Sequence, residues 1–386
     1  MSPHSARSRR LRTRAATGQV TTIELFFDLV FVFVITQVTH HIEAHPGWEG
    51  LLQALLPLAV VWWMFLAFSW LTNAVRPDAT AIRLLLVLAM MAFFIMGLDL
   101  PFAFDTDGLA FPLAYLAAVA IHCLLFLTAE RASARTAIMR TVPYNAGAGL
   151  LVLIAPYLPQ PLTWLCWAAA VLLLYLLSPL LGGVRGFAIE PHHFVERHGL
   201  ITILVLGESI VAIGIGAQGA AVGPTLALGV VLGIAVAAGI WWIYFDGDDT
   251  RATTALEGAP ERRRELLAIY PFGLGHLIMV TGIVLVAAGI TDAVHHFNHH
   301  TNNWWLGYGT AIFLLGHAAY RAMLGTGPTA ERLIGAAVAV PLGWATSFAG
   351  WAATAAMALL LAAIATADHF HMRPAPHSRD AVQGDK

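Results

Sequence analysis

The chain has 386 residues, of which 58% are hydrophobic and only 11% are charged, and its formal net charge is −2. A soluble domain carries about 25% charged residues, so this composition excludes a protein surrounded by water and predicts an all-α protein embedded in a lipid bilayer. The charge balance and the two cysteines exclude an extended nucleic-acid-binding surface, a disulfide framework and a multi-cysteine metal site.

Apolar stretches long enough to cross a bilayer recur along the whole chain. A spanning helix needs about 20 mostly apolar residues. The sequence predicts about twelve such helices, at residues 22–41, 51–73, 80–99, 109–129, 141–158, 161–181, 199–218, 222–245, 265–290, 304–322, 331–347 and 350–368. The last two stretches are nearly continuous, but one helix of about 38 residues would far exceed the bilayer. We therefore expect a turn at residues 347–350.

The first apolar stretch follows an arginine-rich segment, an order that a secretory signal peptide shares. The stretch contains Glu24 and Asp28, and no small-residue cleavage site follows His40. These features predict a retained first helix.

The positions of the basic residues predict the orientation. With the N-terminus inside, all 21 lysines and arginines fall in segments on the inner side, and the outer loops contain acids such as Glu43 and Asp292. Because lysine and arginine are biased towards cytoplasmic loops, the pattern predicts that both termini are cytoplasmic.

The twelve predicted helices divide into two sets of six. The second carries Trp62-Trp63 and the eighth carries Trp241-Trp242, which suggests a parallel internal repeat, although aromatic pairs also recur by chance. The predicted segments are a basic cytoplasmic tail 1–21, a first six-helix half 22–181, a cytoplasmic linker 182–198, a second half 199–368 and a disordered cytoplasmic tail 369–386.

Ionisable side chains inside the spans are the candidates for function, because each costs about 2.5–3.5 kcal/mol at the centre of a membrane helix. Glu24 and Asp28 are four residues apart and project from one face of the first helix. Glu208 stands near the middle of the seventh helix, beside Gly207. These acids predict a proton or cation site. The alternatives are anchoring of a helix end for Glu24 and a neutral hydrogen-bonded strut for Glu208.

Five further polar residues complete the predicted intramembrane site. They are His276, His317, Arg321, Asn145 and Asp246. By its predicted depth, Arg321 is the expected partner of Glu24 or Asp28. A single membrane histidine is more often a hydrogen-bonded structural residue than a functional one, so the histidines have a structural alternative.

Histidines are concentrated in two predicted outer loops. Such clusters can bind zinc or respond to pH, but their spacing matches no defined metal motif. The sequence also lacks a P-loop, a dinucleotide fingerprint and a nucleophile elbow. We therefore predict no metal, no cofactor and no catalytic residue. The outer histidines are His40, His41, His45, His295, His296, His299 and His300.

Two motifs resemble the signatures of the bacterial low-temperature-requirement A (LtrA) family. The first is ELFFDLVFV at residues 24–32, and the second is RHGL at 197–200 followed by LGESI at 206–210. The run WWIYFD at 241–246 fits the same pattern. The resemblance implies a multi-pass protein of the bacterial cell membrane, linked to growth in the cold, and it implies no particular substrate.

The leading hypothesis is a proton-coupled transporter or channel-like protein for a small molecule or ion, with Glu208 and Asp28 as the coupling groups. One alternative is a non-transporting membrane protein that supports envelope function or stress adaptation, and another is an intramembrane enzyme acting on lipid. The predicted partners are the lipid bilayer and no nucleic acid, and the oligomeric state is left open. We expect the first and seventh helices to pack together at the centre of the bundle.

Overall fold

The computed structural model of the chain describes residues 20–75, 77–128, 132–182, 189–301 and 304–372. Within these ranges the chain is helical and contains no strand. The α-helices are α1 (Thr22–Ala44), α2 (Trp48–Ala74), α3 (Thr80–Asp99), α4 (Ala110–Leu127), α5 (Ala132–Ile154), α6 (Gln160–Leu172), α7 (Pro191–Ala217), α8 (Pro224–Phe245), α9 (Asp248–Gly258), α10 (Glu261–Ile269), α11 (His276–His295), α12 (Trp305–Leu324), α13 (Ala330–Ala345) and α14 (Gly350–Met372).

The predicted twelve spans correspond to twelve of these α-helices. The short helix α9 lies in the predicted loop between the eighth and ninth spans, whereas α10 begins in that loop and overlaps the start of the ninth predicted span, 265–290. Two helices continue as π-helix, α6 through Leu173–Gly182 and α10 through Tyr270–Gly275 into α11. Each π-helical segment contains a proline, which removes a backbone donor and disturbs the regular α-helical ladder.

Ten helical segments in the described part of the chain are long and apolar enough to cross a membrane. The two predicted spans outside this set are α12, which carries Arg321, and α13, which has only 16 residues. A helix of 16 residues is shorter than the roughly 20 residues that a straight span requires. The all-helical, membrane-spanning architecture is thus confirmed.

Two predicted helix starts are wrong. The fifth span begins at Ala132 rather than 141, and the seventh begins at Pro191 rather than 199. At the second of these, proline occupies the first turn and the Glu190 carboxylate accepts the backbone N–H of His193 at 2.6 Å. This combination is a helix-start signal that extends α7 into the interval predicted as linker.

The ends of the chain match the predictions only in part. The expected turn at residues 347–350 is confirmed, because α13 ends at Ala345 and α14 begins at Gly350. Most of the predicted tails, 1–19 and 373–386, lies outside the described residues. Residues 369–372, predicted as tail, belong to α14.

The helix α11 lies at the centre of the bundle and contacts α1, α7, α8, α12 and α14. It packs most extensively on α12, where Gly282 and Gly309 face each other across the two backbones. A Cβ atom at either glycine would collide with backbone of the opposite helix, so small residues permit this close approach. The predicted contact between the first and seventh helices, α1 and α7, is confirmed.

The order of helix neighbours is similar in the two halves. In the first half, α1 contacts α2 and α3, and the contacts then run from α3 to α4, α5 and α6. In the second half, α7 contacts α8 and α11, and the contacts run from α11 to α12, α13 and α14. The internal duplication itself stays a prediction.

Candidate functional site

Buried polar side chains from α1, α2 and α7 meet at one end of the bundle. The guanidinium of Arg197 is buried, donates from Nη1 to Glu24 Oε1 at 3.0 Å and to the hydroxyl of Thr72, and donates from Nη2 to Asp28 Oδ1 at 2.9 Å. We call these four residues, with His193, the Arg197 network. It joins Arg197 to two acids that precede it by at least 169 residues in the sequence.

Hydrogen bonds to Glu24 and His193 determine which nitrogen of the His193 ring carries the proton. Glu24 Oε2 accepts the backbone N–H and the hydroxyl of Thr21, each at 2.8 Å, so this acid also caps α1. Asn73 Oδ1 accepts the N–H of Glu190 at 2.7 Å, so its amide nitrogen faces His193 Nδ1 at 3.2 Å. That imidazole nitrogen must therefore accept, which makes His193 neutral, with its Nε2–H 3.1 Å from Glu24 Oε1.

The Arg197 network holds one acid more than it holds cations. Glu24 and Asp28 share the single guanidinium, and His193 adds no charge in the tautomer described above. Within the described part of the chain, Asp28 Oδ2 and Arg197 Nε are buried and have no hydrogen-bond partner. The network is therefore incompletely satisfied, in charge and in hydrogen bonding.

A second group of charges lies at the same predicted cytoplasmic end, among α9, α12, α13 and α14. Arg321 donates from Nε to Asp248 Oδ2 at 2.7 Å and forms two bonds of 2.7 Å to the carboxylate of Asp368. Arg332 donates to the same Asp368 carboxylate at 3.1 and 2.9 Å. We call these residues, with His317, the Arg321 network.

The Arg321 network is balanced. Arg332 Nε donates to His317 Nδ1 at 2.7 Å, so that histidine is neutral, and its Nε2 lies 3.0 Å from Asp248 Oδ2 without forming a hydrogen bond. Two buried carboxylates thus face two buried guanidinium groups. The partly exposed Arg251 adds a bond of 2.8 Å to Asp248 at the rim.

Glu208 lies apart from both networks, in α7. Its side chain is buried, and its Oε2 accepts a hydrogen bond of 2.7 Å from the hydroxyl of Thr36 in α1. Its Oε1 has no hydrogen-bond partner, and no arginine, lysine or histidine forms an ion pair with it in the described ranges. Glu43 and His40 lie within electrostatic range of the carboxyl group.

A cavity of about 950 Å³ opens at the other end of the bundle, where the C-terminal end of α1 and the start of α2 approach α11 and α12. It lies beside Glu43, in the last turn of α1, whereas Glu24 is in the first turn of that helix. The two acids are 19 positions apart in the sequence, which corresponds to about 28 Å along a helix. We call this space the Asp292 cavity; its lining includes Glu43, Trp48, Thr291, Asp292, His296, Trp304, Trp305 and Tyr308.

The family described as bacterial low temperature requirement A protein (LtrA) matches residues 19–367. The chain belongs to the LtrA family. It is 28% identical over 307 residues to an uncharacterized protein of Rhizobium meliloti (strain 1021), and the match covers 76% of this chain and 75% of that protein. No solved structure matches the chain. The family region contains the whole Arg197 network, Glu208 and Asp292, whereas Asp368 lies one residue beyond it.

The structure separates the site residues that the sequence grouped together in this LtrA-family chain. Glu24 and Asp28 do meet, but the expectation that Arg321 is their partner is wrong, because Arg197 occupies that position. Arg321 and His317 instead belong to the second network. Three hydrogen bonds from the Arg321 guanidinium go to Asp248 and Asp368, and a fourth goes to the backbone carbonyl of Pro328.

The remaining predicted residues lie outside both networks. Asp246 directly follows α8, and its backbone carbonyl accepts from Arg251 at 2.9 Å. The acid that enters the second network is Asp248. Asn145 accepts from Trp63 Nε1 at 2.8 Å, a structural bond between α2 and α5.

His276 is held in a separate aromatic cluster. Its Nδ1 lies 3.1 Å from the carbonyl of Pro271, and its Nε2 lies 2.7 Å from the hydroxyl of Tyr244. A carbonyl only accepts, so Nδ1 carries a proton, and because a charged imidazole would be costly in this fully buried position, Nε2 is unprotonated and accepts from the tyrosine hydroxyl. His276 is therefore a neutral, doubly bonded residue that links α8 to the π-helical turn.

Sequence reasoning missed several residues that complete these networks. Arg197 is part of the RHGL motif, but the seventh helix was predicted to start at residue 199, which left Arg197 in a loop. The proline at 191 is a helix-start signal that would have predicted the correct start. The other missed residues sit at helix ends, where charged side chains ordinarily face water. They are His193, Asp248, Arg332 and Asp368.

The outer histidines do not form a metal-binding group among the described residues. His296 Nδ1 lies 2.9 Å from Asp292 Oδ1, and the rings of His41 and His45 stack with centroids 4.5 Å apart. These contacts hold in place the chain segments that follow α11 and α1, which border the Asp292 cavity.

Proposed function

We propose that this LtrA-family chain is a proton-coupled membrane transporter in which Glu208 takes up and releases the proton. The observation that supports this function is the environment of the Glu208 carboxyl group, which is buried, has one neutral donor and has no cationic partner in the described ranges. A buried acid of this kind can exchange a proton without breaking an ion pair, and such residues are rare in membrane helices unless they serve a function.

The position of Glu208 suits this role. It lies on the contact between α1 and α7, and Glu43, on the lining of the Asp292 cavity, is within electrostatic range. Protons entering from the predicted outer side would therefore have a path towards Glu208 along acidic groups. At the other end of the bundle the two arginine networks join the helices and leave α1 bound to α7.

This arrangement resembles one state of an alternating-access cycle, open at one end and closed at the other. Opening the closed end would separate α1 from α7 at the Arg197 network. Because the Arg197 network has two acids and one guanidinium, Asp28 is a second group, besides Glu208, that can accept a proton when the network opens. The Arg321 network, with balanced charges, would remain closed.

The test uses purified protein in liposomes that contain a pH-sensitive dye, with a potassium gradient and valinomycin to impose a membrane potential. Glu208→Gln retains the shape of the side chain but cannot titrate, and we expect it to lower protein-dependent proton flux at least about tenfold, as for loss of an essential proton-transfer group. The control is Glu49→Gln, the same substitution at an exposed residue on the predicted outer side, which should leave flux unchanged.

A second measurement is independent of any substrate. Infrared difference spectra between acidic and alkaline buffer should contain a carboxylic-acid carbonyl band that disappears in Glu208→Gln and persists in Glu49→Gln. Unchanged flux and an unchanged band in Glu208→Gln would sink the proposal, because Glu208 would then be a neutral hydrogen-bonding strut.

A non-transporting structural role is the second candidate. The observation that favours it is the pairing of two buried guanidinium groups with two buried carboxylates in the Arg321 network, which a static membrane scaffold would also use. Wild-type protein without measurable flux, together with Glu208→Gln that supports growth in the cold as well as wild type, would support this alternative.

A further inference from the structure

We propose that the Asp292 cavity binds an organic cation, a molecule with an ammonium or related charged group attached to an apolar body. This inference rests on the proposed function, since it names the class of substrate that the transporter would carry. Three properties of the cavity support it: its size and position, the sign of its charge and its aromatic walls.

The size and position match a substrate site. Pockets for small molecules typically enclose about 300–1,000 Å³, and this cavity has a volume of about 950 Å³. Its deep wall is formed by the buried residues Leu285 and Ala288 of α11. The cavity lies between helices of the first half, α1 and α2, and helices of the second half, α11 and α12. Transporters built from two halves place their substrates at this kind of interface.

The charge of the lining selects a cation. Glu43 and Asp292 contribute carboxylates, and the basic side chains of the described lining are histidines, His295, His296 and His300, with no lysine or arginine. His296 binds one oxygen of Asp292 at 2.9 Å, and Asp292 Oδ2 and Glu43 Oε1 are buried without a hydrogen-bond partner. Because no hydrogen bond offsets these two oxygens, the carboxylates give the wall of the cavity a negative charge that favours a positively charged ligand.

The aromatic walls select an organic cation rather than a bare metal ion. Trp48, Trp304, Trp305 and Tyr308 line the cavity, and the rings of Trp304 and Tyr308 lie 6.2 Å apart. Aromatic faces attract ammonium groups and contact apolar substituents, whereas hard metal ions require several oxygen ligands in a compact shell. Anchoring at the membrane interface explains exposed tryptophans in general, but it does not require carboxylates beside them.

The probe is benzyltrimethylammonium, and its neutral carbon isostere, neopentylbenzene, is the competitor. Binding to purified protein in detergent is measured by calorimetry at about pH 8, where an ordinary histidine is neutral. We expect saturable binding of the cation and no competition by the isostere. Asp292→Asn should weaken binding about tenfold, which corresponds to about 1.4 kcal/mol. Trp304→Leu should weaken it about fivefold, within the range of one cation–π contact.

Two variants serve as controls. Asp107→Asn removes an exposed carboxylate on the same predicted side but outside the cavity, and it should bind like wild type. Glu43→Gln removes the second cavity carboxylate from a different helix, and it replaces Asp292→Asn if that variant does not elute as a monodisperse protein.

The outcomes separate this inference from the proposed function. Cation binding that survives in Glu208→Gln while proton flux is lost supports both. Cation binding in a protein without proton flux supports the cavity and contradicts coupling. Equal affinity for the neutral isostere, or wild-type affinity in both Asp292→Asn and Glu43→Gln, overturns the organic-cation site whatever the flux.

Discussion

The Arg197 and Arg321 networks occupy the same predicted end of the bundle and use the same chemistry, but they differ in charge balance. The Arg321 network pairs two guanidinium groups with two carboxylates, and Asp368 accepts four hydrogen bonds. The Arg197 network pairs one guanidinium with two carboxylates and leaves an oxygen of Asp28 unbonded.

This difference separates a structural joint from a group that can change its protonation. A balanced buried network loses several kcal/mol when one partner is removed, because the remaining charges are left uncompensated. A network with an excess acid can gain a proton and become balanced. We infer that the Arg321 network holds α9, α12, α13 and α14 together, and that the Arg197 network is the joint between α1 and α7 that opens.

The largest expected effect comes from Asp368→Asn. Neutralising this acid leaves Arg321 and Arg332 close together with only Asp248 to offset them. We expect a loss of about 3–5 kcal/mol in the free energy of unfolding, measured by unfolding in SDS mixed micelles and followed by circular dichroism. Asp78→Asn, at an exposed residue on the same predicted side, is the matched control. A loss as small as the control's would show that the network does not stabilise the fold.

The same substitution in the other network should cost much less. Asp28→Asn preserves an oxygen that can accept from Arg197 Nη2 and removes the excess charge, so we expect a change of about 1 kcal/mol, the size of one hydrogen bond. The same SDS unfolding assay measures it. If Asp28→Asn is as damaging as Asp368→Asn, then the difference in charge balance does not distinguish the two networks.

The smallest expected effect is that of Arg251→Ala. Its guanidinium contacts Asp248 at 2.8 Å but is partly exposed at the rim, where water and salt screen the interaction. We expect a loss of about 0.5 kcal/mol, typical of an exposed pair, and a smaller one in high salt. A loss comparable to that of Asp368→Asn would mean that the balance of the Arg321 network requires a third arginine.

The acidic residues of the first helix illustrate how far a sequence can predict a site. The four-residue spacing of Glu24 and Asp28 predicted one face of one helix, and both do contact the same guanidinium. The arginine expected to pair with them was in the wrong helix, because a predicted depth in the bilayer shows only which side chains lie at a similar level. Arg197 and Arg321 both satisfy that condition, and only the packing of α7 against α1 distinguishes them.

The Asp292 cavity could not be predicted at all. Its two carboxylates, Glu43 and Asp292, lie in different halves of the chain, at the ends of α1 and α11. In the sequence each is an ordinary acid of an outer loop. Their relation depends on how the two halves pack together, and neither periodicity nor composition reports that arrangement.

The sequence by itself determined that lipid surrounds this protein, that the protein is helical, where its twelve main helices lie and where the turn between the last two falls. These properties follow from local hydrophobicity, because each segment must satisfy its own backbone in lipid and span a thickness that is the same for every helix. Tertiary structure alone decided which charges are paired and where the cavity lies. Arg197 reaches Glu24 across 173 residues, and such a partner is chosen by the packing of whole helices.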